Sequence, residues 1–436
     1  MMRTPAIYSL VLAMATMVQG ANWPHFRGPQ FNGSSDERNL PVQWSQTENV
    51  RWSVDLPGAS AATPIIWGDS VFVSSTNAEN AGMVAMAFNR KTGKLVWKHE
   101  QSGPVNQDER SNYASPTPVT DGEVVIFFYG NGDLLAFDFN GQLQWKRNMQ
   151  KDFGPFAFGW TFSASPLLFD GTLYMQVLQR DVPVSGRGFS DKKNESYIAA
   201  LDPKTGKTIW RHIRPSQAVA ESRESFATPV PFQYKGRKEL LVVGGDDVTG
   251  HDPETGRELW RWGTWNPSRI GHWRHVPSPV ASEDVILVCA PKRDPVYAIK
   301  AGGNGLLNDN SIAWTSKDER PVTTDVPTPA FYQGDFFVLS DVRKSLSRVD
   351  PKSGKVKWTI RTPGSPKFEA SPTAADGKIY LVNFSAEVVV VDASDGAILN
   401  VIKMDDPQDD PVRSGISVAQ GNLFIRTTRK LFCIGK

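Results

Sequence analysis

Residues 200–210, ALDPKTGKTIW, bring an Asp, a Gly, two Lys, two Thr and a Trp into eleven positions. Those are the side chains of a phosphate loop or a sugar platform. A phosphate loop, however, needs a helix after its glycine, and the residues after Gly206 read as a strand. His272 and His275 form an H-x-x-H pair, which suggests two metal ligands. They follow a proline-containing loop and have no third ligand near them in sequence, so loop or capping roles are the plainer expectation. DFGPFAFGWTF (152–162) packs five aromatics into eleven residues, as the core of a loop or as a stacking platform. Cys289 and Cys433 lie in the apolar runs VILVCA and KLFCIG, where buried free thiols are expected.

The elements that carry these residues repeat. AFNRKTGKLVW (87–97), AFDFNGQLQW (136–145), GHDPETGRELW (250–260) and RVDPKSGKVKW (348–358) are copies of the opening stretch, and VVDASDGAILN (390–400) is a copy that has lost its Trp. With Trp314 filling one gap, the copies recur every 45–50 residues or so, the period of an array of identical supersecondary units. Upstream of the copies stand ATPIIWGDSVFVSS (62–75), ASPLLFDGTLYMQV (164–177), ATPVPFQYKGRKELLVV (227–243) and ASPTAADGKIYLVN (370–383). In each, Ser/Thr-Pro opens a short strand, a Gly turn reverses it and a second strand returns. The copy supplies two more strands, so each unit is a four-stranded antiparallel propeller blade.

Seven blades start near Thr63, Pro116, Pro166, Pro229, Pro279, Pro329 and Pro372, and an eighth near Ser414. The eighth lacks its fourth strand, while NVRWSVDLPG (49–58) precedes the first blade without a partner. The expected fold is all-β: an eight-bladed propeller over 44–436 whose N-terminal strand completes the last blade and leaves no free edge at the closure. Residues 21–43 are an extension. Trp52, Trp97, Trp145, Trp210, Trp260, Trp314 and Trp358 are then structural, each burying about 150–250 Å² between blades, and the Asp and Gly of the motif serve a turn.

The repeated A-x-[DN]-x-x-T-G-x-x-x-W resembles the tryptophan-docking repeat of the pyrroloquinoline-quinone (PQQ)-type propellers, which include quinoprotein alcohol dehydrogenases and the outer-membrane assembly propeller BamB. NWPHFRGPQFNG (22–33) and VYAIKAGGNG (296–305) are similar to exported PQQ-like repeat proteins of bacteria. The resemblance spans nearly the whole chain after residue 20. Because the shared residues are the repeat itself, it implies a fold more than an activity.

Within the blades the turns on one face are short (FDG, KTGK, ETGR, KSGK), whereas the connections on the other are long, with an insertion at 178–196. Binding residues are expected on the long-loop face. Side chains just before the inner strands converge on the channel there: Arg110 and Tyr113; Trp160; Arg223 and Glu224; Trp273, Arg274 and His275; Asp325; Lys367 and Glu369; and Arg413. This Arg- and Trp-bearing set suits an anionic planar ligand or an acidic protein segment. The bland alternative is a polar mouth filled with water.

Lys and Arg number 48 against 46 Asp and Glu, a net charge of +2, so no field of one sign recruits nucleic acid. Residues 1–20 read as a signal peptide, with Arg3, an apolar stretch from Ile7 to Val18 and small residues near Gly20. No later run is long enough for a membrane helix. The expected protein is an exported, periplasmic or secreted monomer that is not membrane-embedded. It acts as a non-catalytic scaffold for an envelope protein or anionic ligand, with no cofactor or metal assigned. The resemblance implies an alternative, a dehydrogenase with PQQ and Ca²⁺ in the channel, where Asp325, Glu224 and Glu369 would be base or calcium ligands. Those dehydrogenases are usually longer and carry an adjacent Cys-Cys pair, which this sequence lacks.

Overall fold

The computed structural model describes residues 21–101, 106–191, 194–405 and 410–436. The expected signal peptide lies outside them. Eight antiparallel sheets follow one another along the chain. Second and third strands such as VIFF (Val125–Phe128) and VILVC (Val285–Cys289) are apolar without alternation and buried throughout, because both faces of each sheet pack on neighbouring blades. Outer strands such as Val356–Arg361 alternate between half-buried and exposed residues, since they meet solvent.

Val50–Asp55 pairs antiparallel with Lys430–Ile434, with Trp52 opposite Cys433. The N-terminal strand thus becomes the outer strand of blade eight, and the ring closes as expected. Cys289 and Cys433 are free and buried, in blades five and eight.

The repeat motif docks each blade onto the next. Asp202 Oδ1 accepts the amides of Lys204 and Thr205 at 2.9 and 2.8 Å, and Gly206 takes φ = 70°. An added Cβ there would stand 2.7 Å from the ring of Trp145, so only glycine permits this approach. Gly93, Gly141, Gly256, Gly354 and Gly396 meet Trp52, Trp97, Trp210, Trp314 and Trp358 in the same way. Trp97, Trp145, Trp210 and Trp358 are only half-buried, less than expected, because each covers the outer rim of the seam.

Two positions depart from this pattern. Trp260 is buried and donates to Glu239 of its own blade at 2.5 Å, beneath residues 301–307, which add the parallel strand Gly305–Leu306 to blade four. Blade seven carries Asn400 where the other blades carry Trp; its amide donates to Val42, and Trp44 of the same arm lies buried against Met404.

Two features shape the channel. The Ser/Thr before each inner-strand proline ties neighbouring blades together: Thr117 Oγ1 accepts from Thr63 N, Ser165 Oγ from Thr117 N, Ser278 Oγ from Thr228 N, Thr328 Oγ1 from Ser278 N and Ser371 Oγ from Thr328 N, all at 2.9–3.0 Å. On the turn face, residues 23–37 cross the ring. Trp23 exchanges two backbone bonds with Ile66 of blade one, and Pro24 accepts from Thr120 of blade two. Phe31 meets Phe169 of blade three edge-on. Asn32 and Gly33 accept from Phe331 and Ala374 of blades six and seven, and Glu37 accepts from Gln420 and Gly421 of blade eight. Buried Arg27 reaches up the channel to the carbonyls of Pro329 and Pro372. The extension therefore plugs the turn-face end of the channel, and among the described residues the channel opens on the long-loop face.

Candidate functional site

Above the plug lies a cavity of about 150 Å³. Phe26 of the extension forms its floor. Its wall carries the hydroxyls of Ser115, Thr117, Ser163, Ser165, Thr228, Thr328 and Ser371, with Phe226, Val276 and Val326 between them, and its rim is Arg110, Trp160, Arg274, Glu369 and Arg413. The rim residues come from the long connections between blades. Each stands a few residues before an inner strand, and for all but Arg413 a proline between the two fixes the backbone.

The rim is a chain of opposite charges. Arg413 donates to Glu369 Oε2 at 3.0 Å and to the Glu109 carbonyl at 3.0 Å. Arg110 lies 5.8 Å above the Trp160 ring, with Glu109 at 3.3 Å and Glu369 at 3.9 Å. Trp160 Nε1 donates to Glu221 Oε1 at 3.0 Å. Arg274, 7% exposed, stands between Glu221 (3.8 Å) and Asp325 (3.9 Å). Asp325 Oδ1 accepts the Lys292 amide at 2.7 Å, and its own N–H donates to Asp341 Oδ1 at 2.9 Å. Burial, helped by the nearby Asp325 and Glu369 charges and opposed by the pull of that amide, pushes the Asp341 carboxyl up to about 6.

Of the residues picked from sequence, Arg110, Trp160, Arg274, Glu369 and Arg413 come together around this mouth, and Asp325 lies behind Arg274. The others are elsewhere. Arg223 turns back to the carbonyls of Ser216 and Ala218. Glu224 is buried against Arg180 and the Gly159 amide, and burial raises its pKa. Trp273 packs on the core between blades four and five, Tyr113 lines a neighbouring cleft with Phe156 and Arg187, and Lys367 is exposed. His275 is buried, its pKa pushed down to about 4 by burial, whereas His272 is exposed. The pair does not converge as metal ligands would. Phe156, Phe158 and Phe162 of the aromatic stretch form a loop core.

Sequence reasoning did not single out Phe26, Glu221, Lys292, Asp341 or the hydroxyl wall. The Ser/Thr-Pro stretches were visible as strand starts, and their hydroxyls were the available signal. Phe26 gave none, because nothing local places the extension beneath the channel.

The carboxylates at the mouth do not fit the Ca²⁺ that would accompany PQQ. A calcium ion takes six to eight or so oxygen ligands, carboxylates prominent among them. Here Glu369 is held by Arg413 and Asp325 by the Lys292 amide, while Glu224 is walled off behind Arg180. Among the described residues no group of three or more His, Cys, Asp or Glu side chains is arranged to hold a metal ion.

The chain is similar to known proteins over most of its length. It is 26% identical over 327 residues to tetrathionate hydrolase of Acidithiobacillus ferrooxidans, covering 72% of this chain and 53% of that protein. It is 22% identical over 355 residues to the quinohemoprotein alcohol dehydrogenase ADH-IIG of Pseudomonas putida, covering 66% and 46%. The chain thus spans about half the length of these curated relatives. Among solved structures, quinohemoprotein alcohol dehydrogenase from Comamonas testosteroni superposes with a TM-score of 0.66 at 13% identity, over 95% of this chain and 81% of that one. BamB from Moraxella catarrhalis gives 0.60 at 12% identity, over 88% and 99%. A family profile matches residues 33–174 and 194–434, nearly every blade, and the chain belongs to the PQQ-like repeat family described as outer membrane protein assembly factor BamB.

Proposed function

We propose that the protein is an exported scaffold of the cell envelope that receives a partner or ligand on its long-loop face and carries out no redox chemistry. The observation that carries this reading is the engagement of the mouth carboxylates: Glu369 holds Arg413, Asp325 holds the Lys292 amide and Glu224 is sequestered with Arg180. The one-sided opening above the plug also supports it, because a blind socket presents its contents to one face. Membership of the BamB family favours a protein partner. The test is to incubate the purified protein with PQQ and Ca²⁺ and record the quinone spectrum and dye reduction with alcohols. No retained quinone and no reduction is the expected result, and a stoichiometric quinone with dye reduction overturns the reading.

A second reading, an enzyme, is favoured by similarity to a tetrathionate hydrolase and to alcohol dehydrogenases. It is also favoured by the raised Asp341 carboxyl behind Asp325, since a carboxyl poised near neutral pH suits acid–base work. Incubation with tetrathionate and assay for thiosulfate release tests the hydrolytic form of that reading.

A further inference from the structure

We propose that the blind socket binds a small oxyanion, with the anionic group on Arg274 and Arg110 and a body no larger than a benzene ring over Phe26. The inference rests on the reading of the long-loop face as the binding face and adds the ligand chemistry.

Arg274 carries the argument. Its side chain is 8% exposed and lines the cavity. Its nearest carboxylate oxygens, on Glu221 and Asp325, stand at 3.8 and 3.9 Å, beyond hydrogen-bond reach. A buried guanidinium keeps its charge and offers five N–H donors in a planar fork. Leaving such donors without acceptors is costly, and a carboxylate or sulfur oxyanion fills a fork bidentately.

The wall is complementary. Thr117, Ser165 and Ser371 use their hydroxyl oxygens to accept a neighbouring blade's N–H, so each O–H proton remains free to be donated into the socket. The hydroxyls of Ser163 and Thr228 have no protein partner among the described residues and line the same space. Three arginines and one glutamate line the cavity, while Glu109, Glu221 and Asp325 stand behind the arginines, so the groups turned to the socket itself are mostly cationic. The volume of about 150 Å³ sets the size limit: a cavity of roughly that volume holds benzene, well under the 300 Å³ or more typical of larger ligands. With the turn face plugged, the ligand enters only between the rim arginines.

The test is a thermal-shift and calorimetric titration of the full protein with sodium benzoate, acetate, sulfate and thiosulfate at constant ionic strength, with chloride as the reference. At least one oxyanion should raise the Tm saturably. The benzoate and acetate arms against the sulfate and thiosulfate arms then tell a carboxylate source from a sulfur one. Arg274→Lys should weaken that probe about tenfold or more, because a point charge replaces the fork. The double change Ser163→Ala, Thr228→Val keeps the shape and should weaken binding about two- to tenfold, the worth of lost neutral hydrogen bonds. It also keeps the test alive should Arg274→Lys fold poorly. Lys207→Ala, on the opposite face, should change nothing. No saturable binding of any probe, or binding indifferent to both socket variants, overturns the proposal. The quinone assay is independent: a dye-reducing quinoprotein whose socket still binds benzoate would sink the scaffold reading and leave this one standing.

Discussion

The indole Nε1 of Trp145 in blade two donates to the carbonyl of Pro203 in blade three at 2.8 Å, while the same ring lies against the backbone of Gly206. Trp97 to Phe139, Trp210 to Pro253, Trp314 to Pro351 and Trp358 to Ser394 repeat the hydrogen bond. The relationship makes the motif an inter-blade latch.

Gly206→Ala should therefore destabilise as a latch mutation. The added Cβ meets the Trp145 ring at 2.7 Å and φ is 70°, so clash and backbone strain add to a loss of about 2–4 kcal/mol. Trp210→Ala, at a half-buried position, should cost about 2–3 kcal/mol, and Trp260→Ala, fully buried, about 3–5 kcal/mol. Urea unfolding of the three variants measures this. Equal losses at Trp210 and Trp260 would show that burial does not govern the latch.

Acid should weaken the plug and the ring. Burial pushes His25 and His251 down to about 3 and His275 to about 4. A histidine whose folded pKa is depressed contributes stability that is complete above its unfolded value of 6.5 and is lost as pH falls through that value toward the folded one. Each such group removes about 1.4 kcal/mol per pH unit in that window. His25→Gln, in the plug, should flatten the fall in stability between pH 6.5 and 4, read as unfolding free energy against pH. An unchanged slope would place His25 in contact with water.

Asp341 should act with the opposite sign. Its folded pKa of about 6 lies above the ordinary carboxyl value of 3.8, so its contribution is fully present below 3.8 and is lost as pH rises to 6. At pH 7 the ionised form costs up to about 3 kcal/mol. Asp341→Asn keeps an oxygen for the Asp325 amide and should stabilise the protein at pH 7 while changing little at pH 4. Destabilisation at pH 7 would point instead to a charge that the site requires.

The thiols should be silent until the ring opens. Burial pushes Cys433 up to about 12 and Cys289 still higher, so little thiolate is available at neutral pH. Iodoacetamide should leave the native protein unmodified and add two labels per chain after unfolding, by intact mass. Rapid labelling of the native protein would mean that a blade frays.

The sequence by itself determined the ring. The recurring Asp, Gly and Trp are read locally: a turn that only glycine permits, a carboxylate that caps it, an indole at a fixed offset. Repetition then counts the blades, and the unpartnered strand at Trp52 names the closure. The seven motif tryptophans came out as structural for the same reason, although how deeply each is buried depends on what covers the outer rim. The site was legible only in part. Arg110, Trp160, Arg274, Glu369 and Arg413 could be placed on one face from loop length, but each loop's side chains can turn inward or away, and Arg223, Trp273 and Lys367 turn away. Only the tertiary structure decided that residues 23–37 cross beneath the channel, that Phe26 floors it, and that Arg274 finds no hydrogen-bond acceptor among the described residues. Those relationships join residues up to hundreds of positions apart, such as Arg27 and Pro372. They follow from packing across the ring, which no local pattern encodes.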